Sequence, residues 1–183
     1  MSSNVEQAGR ILAAFEKNKA IDPFYGAVEQ MESVSLMGLG ETKERLAARR
    51  DATRMWLKIL AAIDEHLDPK FDPEDVPETK VIPPASGRIQ PPPGVTPEAI
   101  TDPRARAEYE AALKKNADKI ASYNFQTKLR RLNTRASASV KRFLTTYYTA
   151  ADADQQDLLS LLREEHLSNV RQGQIKALFN AGK

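Results

Sequence analysis

Between Lys119 and Thr149 the chain reads KIASYNFQTKLRRLNTRASASVKRFLTTYYT, with seven Lys or Arg and no acid, although the net charge of all 183 residues is only +2. Cations repeated along one helical face can follow a phosphate backbone or an anionic surface, because neighbouring side chains three and four residues apart stand about 5 to 6 Å from each other. On a helical wheel Lys128, Arg131, Arg135 and Arg142 line one flank of an apolar stripe, and Lys119, Arg130 and Lys141 lie near the other. The candidate anion- or partner-binding set is therefore Lys128, Arg130, Arg131, Arg135, Lys141 and Arg142. Tyr123 and Tyr148 are the aromatic side chains that the stripe leaves free to contact a partner. Internal balance is the competing and preferred reading. Residues 64–78 carry seven acids against one Lys and residues 152–165 five acids against one Arg, so two acidic segments are available to lie beside the basic flanks.

Other chemistry has less to work with. Zero cysteines remove disulfides, thiolate metal sites and thiol nucleophiles together. His66 and His166 each close a different helix with no second ligand at i+3 or i+4, and a histidine in a last helical turn is already favoured by the helix dipole. The acids Asp68, Asp72, Glu74 and Asp75 lack EF-hand spacing and read as turn formers. The glycines of MGLGE follow no strand and precede no Gly-Lys-Ser/Thr, so they make no phosphate loop. No motif places a base beside a serine. No catalytic residue, metal ligand or cofactor is assigned, and the chain is expected not to be an enzyme.

The elements that would carry the basic ridge are helical. Val5, Ala8, Leu12 and Phe15 mark a first amphipathic helix over 4–18, with a short helix from Pro23 to Met31 and a loop after it. A stronger stripe, Leu46, Thr53, Trp56, Leu57, Leu60, Ile63 and Leu67, predicts a helix over about 42–67 with Thr42 as its cap. Nine of the eleven prolines then fall between Pro69 and Pro97, which forbids helix and predicts turns and polyproline II. Thr101, Asp102 and Pro103 open the next helix, over about 104–149. Its early stripe, Tyr109, Leu113, Ala117 and Ile120, is out of phase with the later one, Phe125, Leu129, Leu132, Ala136, Val140, Phe143 and Tyr147, and a bend near Ser122 to Asn124 would reconcile them. Leu158, Leu161, Leu162 and Leu167 mark a further helix over 153–168, and GQIKALFNAG is a docking segment or a frayed end.

The predicted fold class is all-α, a bundle of about four helices with a long proline-rich surface strap between the second and third major ones. Trp56, Leu57, Leu60, Leu129, Leu132, Val140, Phe143, Leu158 and Leu162 form its core. The first choice is one domain over 1–183. The alternative is an N-terminal helical part (1–67), a linker (68–100) and a C-terminal helical part (101–183). No run approaches the ~18 apolar residues of a membrane-spanning helix. The chain as it stands is expected to be soluble and cytoplasmic, or exported to the periplasm if a leader has been removed. By function class the expectation is a non-catalytic helical interaction or scaffold protein, with another protein or a second copy as partner. Nucleic-acid or anionic-surface binding through the basic helix is the alternative.

Overall fold

The structure is a computed structural model that describes residues 2–36, 42–79, 81, 95–148 and 152–180, without the side chains of 2, 3 and 152–154. Every regular element among them is helical: α1 (Ser2–Asn18), α2 (Ile21–Leu36), α3 (Lys43–His66), a single 3₁₀ turn (Pro97–Ala99), α4 (Pro103–Tyr147), α5 (Asp152–Glu164) and α6 (Asn169–Asn180). The all-α expectation stands, but with six α-helices among the described residues instead of about four. The prolines at 83, 84 and 91–93 and the glycines of MGLGE lie outside the described residues.

The chain forms two compact units, residues 1–67 with 128–183, and residues 68–127. In the first, α1 and α2 pack as a helical hairpin joined at Lys19, whose φ of 55° turns the backbone while its N–H still bonds the Phe15 carbonyl. Phe15 and Phe24 stack across the hairpin with ring centroids 4.2 Å apart. All nine side chains assigned to the core from the sequence are buried here, Trp56 at 1% exposure and Leu129 and Leu132 at 0%. The helical period suffices to find them, since only residues three and four apart share a face.

Two helices exceed the sequence reading. α2 runs five residues beyond Met31 because Val34 is buried at 1%, and Ser33 and Ser35 fold their hydroxyls back onto the carbonyls of Glu29 and Met31, leaving the helical ladder intact. α6 is a full helix, not a frayed end. Its inward side is Arg171, Ile175 and Phe179 at steps of four, and a buried arginine in that series conceals the stripe from a hydrophobicity reading. Arg171 donates to Asn133 Oδ1 (2.8 Å) and Gln174 Oε1 (3.2 Å) and lies 3.8 Å from Asp64. Burial lowers its pKa, against the opposing pull of Asp64.

The second unit has a small core of its own, Ile100, Ala105 and Tyr109, with Val81 and Leu113 against it. Asp68 and Asp72 accept from the N–H groups two residues on, of Lys70 and Glu74, at 2.8 and 2.9 Å, as turn-forming acids do. The segment 68–79 is fastened to side chains of α4: Tyr123 donates to the Pro73 carbonyl (2.7 Å), Asn116 to that of Glu78 (2.9 Å), and the Gln126 side-chain carbonyl accepts from the Asp68 N–H (3.0 Å). The helix runs unbroken through Ser122–Asn124. Of the early stripe Tyr109 and Leu113 join the second unit's core while Ala117 is exposed, and from Leu129 on the later stripe is buried in the first unit, with Phe125 left in the second.

Candidate functional site

The basic ridge of α4 meets its counter-charges on α2, which neither acidic segment nominated from the sequence supplies. Lys128 Nζ lies 2.8 Å from Asp22 Oδ1, and Arg135 reaches Glu32 Oε2 at 2.8 Å and Glu29 Oε1 at 3.3 Å. Asp22 to Glu29 and Lys128 to Arg135 are both steps of seven, about two helical turns, so successive acids on one helix face successive cations on the other. Glu32 also accepts from Ser139 Oγ (2.6 Å). Burial works to raise the Glu32 pKa, yet the hydrogen bonds from Arg135 and Ser139 outweigh it and hold the carboxyl below its ordinary value. The bond to Glu32 likewise raises the Arg135 pKa.

The nominated acids are used elsewhere. Asp157 and Glu164 of α5 pair with Arg50 and Arg54 of α3, each at 3.1 Å, and Asp64 accepts from Ser168 Oγ (2.6 Å). Of the remaining ridge residues, Arg131, Lys141 and Arg142 are exposed and Arg130 is half-buried. Arg131 acts electrostatically on Tyr25 and Arg142 on Glu32, so even these stand within the field of α2.

Of the two aromatic candidates, Tyr148 is corrected. Tyr148 is 0% exposed. Thr53 Oγ1 spends its proton on the Arg49 carbonyl, so the Tyr148 hydroxyl donates to Thr53 at 2.8 Å, and the Arg49 guanidinium covers the tyrosine ring at 4.9 Å. Its neighbour Tyr147, assigned to the apolar stripe, is only half-buried and donates to the Ser35 carbonyl (3.0 Å). Tyr123 is half-buried, with its ring 5.3 Å from Phe71 and its hydroxyl engaged by Pro73. Tyr148 is therefore not available to stack on a base, whereas Tyr123 keeps part of its ring in water.

His66 donates from Nδ1 to the Ala62 carbonyl at 2.9 Å, turns Nε2 toward the Lys19 ammonium, and packs edge-on against Phe15. Among the described residues no group of three or more His, Cys, Asp or Glu is placed to hold a metal ion.

A groove that the sequence reading does not nominate lies in the first unit, where α1, α2 and α3 meet. It encloses about 560 Å³, with a floor of Val5, Val34, Ala47, Ala48 and Met55 and a rim of Glu6, Glu44, Asp51, Arg54 and Lys58. α3 shapes it through seven-residue steps. Glu44, Asp51 and Lys58 stand in line along the rim, with small alanines at 47 and 48 leaving the depth between them. α1 contributes Val5 and Glu6, and Gly9 of the same helix stands where an added Cβ would come within 3.1 Å of the Met55 methyl. The Ala47–Ala48 pair was the available signal, since small side chains leave room beside them. They are silent on a hydrophobicity scale that seeks large side chains.

Comparison with family models, curated proteins and solved structures found no match.

Proposed function

We propose that the chain is a non-catalytic helical interaction protein that receives a partner's side chains in the groove bounded by α1, α2 and α3. The observation that carries this reading is the groove itself, an apolar floor of about 560 Å³ bordered by charged side chains. Ligand and peptide sites combine those features: the apolar lining supplies affinity and a few polar groups at the edge set orientation. Leu36 (77% exposed) and Leu46 (40%) sit within two residues of the lining positions Val34 and Ala47, two of the few large apolar side chains left in water among the described residues.

The alternative, anion or nucleic-acid binding through α4, retains Arg131, Lys141 and Arg142 as exposed cations. It loses Lys128 and Arg135, two of its six cations, to ion pairs and Tyr148, one of its two aromatics, to the core, which interrupts a phosphate-tracking row.

A photo-crosslinking amino acid placed in the intact chain, in its own cells, at Ala47 or Lys58 and in parallel at Ala138, an exposed position of α4, separates the two. Discrete protein adducts from the groove positions and none from Ala138 are expected. Nucleic-acid adducts from Ala138 would promote the alternative, and no adduct from either groove position would overturn the proposal.

A further inference from the structure

We infer that the groove's occupant is an amphipathic helix of about four turns lying antiparallel to α3, with acids in its first turns and lysines or arginines in its last turns. This rests on the interaction reading above and names the partner class for that same site.

The length comes from the rim. Glu44 and Lys58 are both lining residues of α3, and the 14 steps between them span ~21 Å at 1.5 Å per residue. A helix laid in a groove offers anchors at i, i+3 or i+4 and i+7. The lining of α3 repeats with the same period, at 44, 47 and 48, 51, 54 and 55, and 58. Ala47 and Ala48 are the small side chains of the lining, so the occupant's large side chains seat there, and Met55, with three rotatable bonds, adapts its floor to the next anchor.

The direction comes from charge order. Along α3 the exposed rim residues run Glu44, Asp51 and then Lys58. Arg54, between the last two, is drawn aside by Glu164 at 3.1 Å, a hydrogen bond that also raises its pKa, so Lys58 sets the charge at that end of the rim. On the α3 side of the groove, one end of the rim is therefore acidic and the other basic. A helix stabilised in the ordinary way, with acids near its N-terminus and cations near its C-terminus, matches that order only when it runs against α3. A uniformly basic helix meets Lys58, and an acidic one meets Glu44 and Asp51.

The probes are two 16-residue fluorescent peptides of identical composition with one leucine stripe, one carrying glutamates in its first turns and lysines in its last, the other in the reverse order. Anisotropy titration with the full chain is expected to give about tenfold tighter binding of the first, a preference that shrinks with added salt. The double reversal Glu44→Lys with Asp51→Lys is expected to abolish that preference. Gly9→Ala, whose new methyl would meet the Met55 methyl at 3.1 Å and move it by a few tenths of an ångström, is expected to alter the affinity of both peptides alike and keep their order, while thermal unfolding shows the chain still folded. Equal affinity for the two peptides overturns the inference but leaves the interaction reading standing if crosslinks still form at the groove. Failure of both peptides to bind overturns it too. So does a dimer, seen by sedimentation, that Gly9→Ala dissolves, since the groove would then belong to a second copy.

Discussion

Residues 103–127 and 128–147 belong to one helix, yet they are stabilised in different ways. The earlier stretch buries little beyond Ala105, Tyr109 and Gln126, and its hydrogen bonds go to irregular backbone: Arg106 holds the Ile100 carbonyl with two N–H groups, and Tyr123 and Asn116 hold Pro73 and Glu78. The later stretch buries Leu129, Leu132, Ala136, Val140, Phe143 and Leu144 and meets the acids of α2 along its flank. A basic, acid-free composition is thus a poor guide to what a helix binds. The 128–147 stretch looks like an anion-binding ridge in sequence because its counter-charges lie about a hundred residues away.

The largest test of the contrast is truncation of the apolar anchors. Phe143→Ala and Trp56→Ala remove side chains that are 1% exposed in the first unit, and each is expected to cost about 3–5 kcal/mol in chemical denaturation. Tyr109→Ala removes an equally buried ring from the second unit's small cluster. It is expected to raise hydrogen exchange within 95–127 while amides of 128–147 keep most of their protection. Equal loss of protection in both stretches would erase the distinction.

What was legible in the sequence follows the same division. The core of the first unit could be read because its large side chains recur at helical spacing on α3, α4 and α5. The end of α2 could not, since serines at 33 and 35 are poor helix formers and the burial of Val34 is a tertiary effect. Continuing the stripe from Phe143 to Tyr147 leaves Tyr148 on the wrong side, whereas Leu144, buried as well, points four residues on to Tyr148. α4 ends at Tyr147, and the next residue follows the Leu144 side inward through its N–H bond to that carbonyl. The partners of the ridge were visible only in part: Asp22, Glu29 and Glu32 share a face of α2, but nothing local says which helix that face meets. The groove was the least legible feature, because the small side chains at Ala47 and Ala48 that leave its space carry little hydrophobic signal.

A middle-sized effect is expected at Glu32. Its carboxylate is 25% exposed and Arg135 37% exposed, so Glu32→Gln should cost about 1 kcal/mol at neutral pH after solvent screening, below what a fully buried ion pair would cost. The folded-state pKa of Glu32 is lowered, so its contribution is fully present above the unfolded value of about 4.3 and fades as pH falls through the lower folded value. The gap between wild type and Glu32→Gln should therefore be constant from neutral pH to about 5 and close below about 4. A gap unchanged down to about pH 2, read from urea midpoints, would show that the carboxylate's charge contributes nothing.

The smallest expected effect on stability is at the exposed cations. Arg131→Glu and Lys141→Glu alter residues that stand in water on α4, and surface changes of this kind are usually within about 0.5 kcal/mol. Arg131 lies near Tyr25, whose pKa is raised by burial and pulled back by that arginine, so Arg131→Glu should push the phenol pKa further up. Ultraviolet titration of the tyrosines can read that shift even where folding does not respond. Retention on heparin sharpens the comparison further. If residues 128–147 are a neutralised flank, the intact chain should elute at low salt, and the double reversal Arg131→Glu with Lys141→Glu should change its elution only slightly. Tight retention at physiological salt that this pair of reversals removes would mean that the exposed cations bind anions despite the pairing of Lys128 and Arg135, and α4 would then carry the function instead of the groove.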